Sequence, residues 1–241
     1  MTDQPAMLVV SAHAADFVWR ASGAIASFVR QGGRAHVVCL TYGEKGESQG
    51  LWKQPGMTLE TVKERRHEEA TAAAAVLGAE IEFLDLGDYP IRATDGLYDT
   101  LVATMRRVRP DVILTHPAHD PYNLDHALVH EVVLRARMIA QAAGHDPGTR
   151  PIGAPQVFQF EPHQPEQCGF KPDLLLDVTE VFPLKRKAME AMEGAQGHLV
   201  AYYDALGERR GVQARRNGGA GTITHAEAYQ RVFPTVAGSL R

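Results

Sequence analysis

Several things are scarce in this 241-residue chain, and each scarcity removes a class of explanation. Cys39 and Cys168 are too few for a disulfide framework and too far apart for a CxxC site. No apolar run approaches the ~18 residues of a membrane span. The opening Met1-Thr2-Asp3-Gln4-Pro5 lacks the basic-then-apolar order of a secretory signal, so the cytoplasm is the expected location. Basic residues cluster no further than short pairs, and 25 Lys and Arg against 29 Asp and Glu leave a net charge of −4, which argues against a nucleic-acid partner. Internal repeats and low-complexity segments are also missing.

What is present is a hydrophobic fraction of 44%, enough to build the core of one large domain. Short apolar runs alternate with amphipathic stretches. Strands are predicted up to Ser11, at Ala35 to Leu40, Ile81 to Leu86, Val112 to Leu114, Gln156 to Glu161 and Leu174 to Val178. Helices are predicted over Val18 to Arg30, Thr58 to Leu77, Leu97 to Val108, Leu128 to Ala140 and Pro183 to Tyr203. Such alternation specifies an α/β, Rossmann-like fold whose mostly parallel sheet carries helices on both faces. The stretch from Gly207 to Ala220, glycine-rich and bearing Arg209, Arg210, Arg215 and Arg216, reads as a basic loop over a site or a neighbouring subunit.

In open α/β sheets ligands bind beyond the carboxyl ends of the strands, and the polar residues collect there. Leu8-Val9-Val10-Ser11-Ala12 runs straight into His13 and Asp16, either a metal-ligand pair or a loop histidine beside a helix N-cap. The fourth strand delivers Thr115-His116-Pro117-Ala118-His119-Asp120-Pro121-Tyr122-Asn123-Leu124-Asp125-His126, the most polar loop of the chain. His13, Asp16 and His126 together are two imidazoles and a carboxylate, a set that leaves a coordination position open on zinc. Asp125 can orient one of the rings through a hydrogen bond. His126 and His130 also have the i, i+4 spacing of a zincin helix, but Ala127 stands where that motif needs its glutamate, so His130 reads as a packed or solvated helix residue.

The run from His13 to Gly23, Arg66-x-x-Glu69-Ala70, Asn123-Leu124-Asp125-His126 and His225-Ala226-Glu227-Ala228-Tyr229 resemble the PIG-L/LmbE family of zinc-dependent N-acetylglucosaminyl deacetylases over nearly the whole chain. The resemblance implies a single LmbE-like domain over residues 1–241, with a C-terminal helix and basic loop from about 180 onward packed on it, and a homo-oligomer. It also implies zinc on His13, Asp16 and His126. Two positions depart from the family pattern: Ala15 stands where those deacetylases carry their water-activating aspartate, and Asn123 where they carry a histidine. A hydrolase without its base forfeits a proton transfer worth ~10²- to 10⁴-fold, so amide hydrolysis is not the expected reaction.

Gly43-Glu44-Lys45-Gly46-Glu47-Ser48, Asp120-Pro121-Tyr122-Asn123, Gly211-Val212-Gln213-Ala214 and the unusual Phe160-Glu161-Pro162-His163-Gln164-Pro165-Glu166-Gln167-Cys168 narrow the likeness to a divergent hydratase branch of the family, serving gallate and protocatechuate breakdown. That branch implies water addition to a carbon–carbon double bond of a keto or dienol tricarboxylate, with Glu47 and His163 as the proton-transfer pair and Glu44 as an alternative to Glu47. Zinc would hold either the water or the substrate's 2-oxo-carboxylate end. Arg20, Arg66 and Arg216 are candidate partners for the carboxylates, with Asn123 beside them. His67, His116 and His119 fall near the site in supporting or core roles. An N-deacetylase with a relocated base and a zinc-binding relative without turnover are the alternatives.

Overall fold

In the computed structural model, which describes residues 4–236, the chain folds in the order β1 (Ala6–Ser11), α1 (Asp16–Arg30), β2 (Arg34–Cys39), α2 (Gln49–Trp52), α3 (Leu59–Leu77), β3 (Glu80–Phe83), α4 (Asp95–Val108), β4 (Val112–Thr115) and α5 (Leu124–Gln141). It continues with β5 (Gln156–Phe160), β6 (Leu174–Asp177), α6 (Phe182–Glu190), α7 (Glu193–Gln196), a 3₁₀ turn at Gly197–Leu199, α8 (Val200–Arg216) and β7 (Ala226–Arg231). The seven strands form one sheet in the order β3-β2-β1-β4-β5-β7-β6. The first five are parallel, and β7 runs antiparallel to both β5 and β6.

β1 is buried along its whole length, so both faces of the sheet must be covered. Met7 and Val9 face a core shared with α1, α3 and α6, whereas Ala6, Leu8 and Val10 face one shared with α4 and α5. The period-2 alternation of a strand splits one apolar run between two cores. β1 also sits where the sheet order reverses, with β2 on one side and β4 on the other. The crevice beyond their carboxyl ends is the place such a sheet offers to a ligand.

Beyond β6 the chain departs from the sequence reading. The expected closing helix over 183–203 is broken into α6, α7 and the 3₁₀ turn, and the expected loop from Gly207 is the body of α8. Its glycines serve close approach rather than flexibility: a Cβ on Gly211 would lie 2.1 Å from the Thr224 carbonyl oxygen, and one on Gly207 3.0 Å from the Phe182 ring. β7 was hidden for a related reason. Its Glu227 is buried, which breaks the apolar pattern by which a central strand is found.

Candidate functional site

Each parallel strand ends by handing a polar loop to the same crevice. Beyond β1, His13 is fully buried and Asp16 opens α1, its Oδ2 accepting the His13 backbone N–H at 2.8 Å. The turn therefore folds the carboxylate back beside the imidazole. Beyond β2, the loop carrying Glu47 is shaped by Asp88, which accepts the backbone N–H groups of Lys45 and Gly46. Beyond β4, Asn123 caps α5 by accepting the Asp125 N–H, which places Asp125 and His126 in the first turn. Beyond β5, Glu161 and His163 follow.

His13, Asp16, Glu47 and His126 converge so that one donor atom from each lies within 4.8 Å of all the others. His13 Nδ1 is 3.3 Å from Asp16 Oδ2 and 3.2 Å from Glu47 Oε1, and His126 Nε2 is 3.5 Å from Asp16 Oδ1. The far nitrogen of each ring faces its own carboxylate: His126 Nδ1 is 2.8 Å from Asp120 and His13 Nε2 is 3.6 Å from Asp125. Asp125 is itself fixed by the backbone N–H groups of Tyr89 and Ile91. A carboxylate behind an imidazole sets its tautomer and raises its basicity as a ligand. His13 Nδ1, His13 Nε2 and His126 Nε2 nevertheless lack any hydrogen-bond partner among the described residues although buried. Such atoms cost about 1–3 kcal/mol each if left so, and two of them aimed at a carboxylate pair fit a metal ion.

The charges are set by the same contacts. Burial pushes the Asp16 carboxyl up, but the flanking His116 and His126 outweigh it and hold Asp16 well below the ordinary carboxylate range. Burial likewise opposes ionisation of Glu47, yet His13 brings it down to about 2. His116 accepts the Ala12 N–H at Nε2, and burial with the neighbouring His126 lowers it to about 3.

A cleft of about 320 Å³ opens onto this cluster, lined by Arg20, Glu47, Asn123, His126, His163 and Gln196 among others. Arg20 is 3% exposed, and among the described residues none of its three guanidinium nitrogens has a hydrogen-bond partner. Its nearest carboxylate oxygen is Asp16 Oδ1, 3.7 Å from Nε. The Asn123 amide donates to Glu47 Oε1 and to the Tyr89 hydroxyl. Tyr203 reaches His163 from α8, and burial, with Arg20 nearby, lowers the His163 imidazole to about 4.

Residues 8–137 match the family described as PIG-L, GlcNAc-PI de-N-acetylase. The chain belongs to the PIG-L family. It is 52% identical over 99% of its length to a 4-oxalmesaconate hydratase of Pseudomonas putida, covering 93% of that protein. The crystal structure of GalB, the 4-carboxy-2-hydroxymuconate hydratase of Pseudomonas putida, superposes with a TM-score of 0.96 at 51% identity, over 99% of this chain and all of that one. An N,N'-diacetylchitobiose deacetylase of Pyrococcus horikoshii shares the fold with a TM-score of 0.79 at 18% identity, over 95% of this chain and 84% of that one.

The structure brings His13, Asp16, His126, Glu47, His163, Arg20 and Asn123 to this one crevice. It leaves three sequence candidates outside. Arg66 is buried in α3, bonded to Glu69 and the Tyr42 carbonyl, and Arg216 is exposed in the last turn of α8; neither lines the cleft. Glu44, the alternative to Glu47, is buried and also lies outside the lining. His130 is packed, its Nδ1 on the His116 carbonyl. Asp120, Gln196 and Tyr203 were given no role by the sequence reading. Asp120 stood in a loop already marked as polar, but Gln196 and Tyr203 sit in helices with no local signal.

Proposed function

We propose that the protein is a 4-oxalomesaconate hydratase: it adds water to the carbon–carbon double bond of that tricarboxylate, giving 4-carboxy-4-hydroxy-2-oxoadipate in the cytoplasmic breakdown of gallate and protocatechuate. The observation that carries this reading is the likeness to the Pseudomonas hydratase at half identity and nearly full length. The 4-carboxy-2-hydroxymuconate of the superposed structure is the dienol form of the same tricarboxylate. By family resemblance the enzyme is a homo-oligomer.

His13, Asp16 and His126 would hold zinc, with Glu47 at its edge. Bound there, zinc supplies a Lewis acid that acidifies water or polarises the 2-oxo-carboxylate. Arg20 takes a substrate carboxylate, because its buried and partnerless guanidinium presents a fork that a carboxylate fills. Asn123 adds a neutral donor and steadies Glu47. Glu47, ionised beside His13, takes the proton from water as the oxygen bonds to one alkene carbon. His163 returns a proton to the neighbouring carbon.

The free enzyme keeps His163 neutral, and substrate changes that balance. A bound tricarboxylate brings negative charge into the cleft and pairs with Arg20, one of the cations that lower His163. Both changes move His163 towards the protonated form in which it can act as an acid.

The test mixes zinc-loaded protein with 4-oxalomesaconate and follows loss of the conjugated chromophore, while acetate release from an N-acetylglucosaminyl substrate is assayed in parallel. Chromophore loss without acetate release is expected. Acetate release without hydration would instead establish a deacetylase with a relocated base.

A further inference from the structure

α8 grips the loop that carries His163 at three points. The Tyr202 hydroxyl donates to the His163 carbonyl at 2.6 Å, the Tyr203 hydroxyl lies 3.1 Å from His163 Nδ1, and the Arg210 guanidinium pairs with Glu161 two residues earlier. Of these, the Tyr203 contact reaches the imidazole itself. Tyr203 is 3% exposed, its ring stacks on Trp19 with centroids 5.5 Å apart, and among the described residues its hydroxyl makes no hydrogen bond other than the one to His163.

We propose that Tyr203 is the positioning residue of His163, its hydroxyl holding Nδ1 so that Nε2 is the nitrogen that carries a proton towards the cleft. This rests on the role given to His163 above. The direction of the bond follows from satisfaction. If Nδ1–H donated to the phenol, the buried O–H would have no acceptor, and an orphaned donor costs about 1–3 kcal/mol. With the phenol donating, the one proton of the neutral ring sits on Nε2.

A hydroxyl is also suited to both charge states, because it can donate to neutral Nδ1 and accept from Nδ1–H of the imidazolium. A carboxylate in its place would fix the ring as a cation. A backbone carbonyl would draw the neutral ring's proton to Nδ1 and leave Nε2 bare. With Tyr203 the transfer balances: the Nε2–H bond of the imidazolium breaks, a C–H bond forms, the electron pair stays on Nε2, and solvent later reprotonates that nitrogen as Glu47 gives up to solvent the proton it took from water. The charged and titratable groups around the ring are Arg20 and Asp16 of α1, Glu47 after β2, His126 of α5, and Tyr202 and Tyr203 of α8. Among them Tyr203 alone is hydrogen-bonded to the ring.

The test is Tyr203→Phe, which keeps the ring that stacks on Trp19. Zinc content and Tm close to the parent and a KM within threefold of it are expected, with kcat reduced 10- to 100-fold. Long-range ¹H–¹⁵N spectra of ¹⁵N-histidine-labelled enzyme, with the His163 signals assigned through His163→Asn, should show the Nε2–H tautomer in the parent and a mixture in the variant. An Nδ1–H tautomer in the parent, or a variant with unchanged kcat and unchanged tautomer, would overturn the proposal. The spectrum requires no turnover. An error in the role of His163 would appear separately, as full hydratase activity in His163→Asn.

Discussion

Two buried charged clusters hang on the same helix, α1, and they are built on opposite rules. Around Glu227 every group is matched: its carboxylate accepts the N–H groups of Gly23 and Ala24 and the Tyr229 hydroxyl, and it pairs with Lys185, whose ammonium also donates to the Trp19 carbonyl. One turn towards the N-terminus the pattern reverses. His13, His126 and Arg20 keep buried nitrogens with no partner. A satisfied cluster spends its interactions on holding β7 and α6 to α1. An unsatisfied one keeps them for something that arrives later.

The comparison breaks if the two clusters respond alike to mutation. Glu47→Gln should lower kcat by ~10²- to 10⁴-fold with zinc content and Tm close to the parent, since it removes a base and leaves the packing intact. Steady-state kinetics beside metal analysis checks this. Glu227→Ala should do the reverse. It strands the Lys185 charge and should cost about 3–5 kcal/mol in denaturant unfolding.

Arg20→Met sharpens the contrast further. Removing a buried charge that has no hydrogen-bond partner should leave the metal-free protein as stable as the parent or more so, while KM rises about 10- to 100-fold from the lost charged hydrogen bonds. A matched fall in stability would place Arg20 with the structural cluster instead. The smallest effect expected is one of pH. His163 titrates near 6.5 when unfolded and near 4 when folded, so the unfolded chain takes up its proton first as pH falls. Its contribution is therefore complete above pH 6.5 and lost as pH falls through about 4. His163→Gln should flatten the stability curve across that window, read as Tm against pH.

The fold was legible where local pattern and burial agree. The run into His13, the β2 strand and the polar loop after β4 all announce themselves, because parallel strands buried on both faces are apolar and their ends are not. The chain beyond β6 was not legible, since Gly207 and Gly211 serve packing and Glu227 serves a buried network that only the tertiary structure explains. For the site, residue types and strand ends sufficed to nominate His13, Asp16 and His126, whereas Glu47 and His163 came from the resemblance to the hydratase branch. They could not sort the arginines. Arg20 and Arg66 are both buried, and what separates them is that Arg66 is hydrogen-bonded to Glu69 and the Tyr42 carbonyl whereas Arg20, with Asp16 Oδ1 3.7 Å away, has no hydrogen-bond partner among the described residues.

The most direct test of the contrast is a thermal titration of chelator-stripped protein with zinc. The account predicts that zinc raises Tm in the parent at one ion per chain, that His13→Ala abolishes the rise, and that Glu47→Gln retains most of it. A parent Tm indifferent to zinc, or a full shift in His13→Ala, would contradict the claim that the partnerless donors are held for a metal.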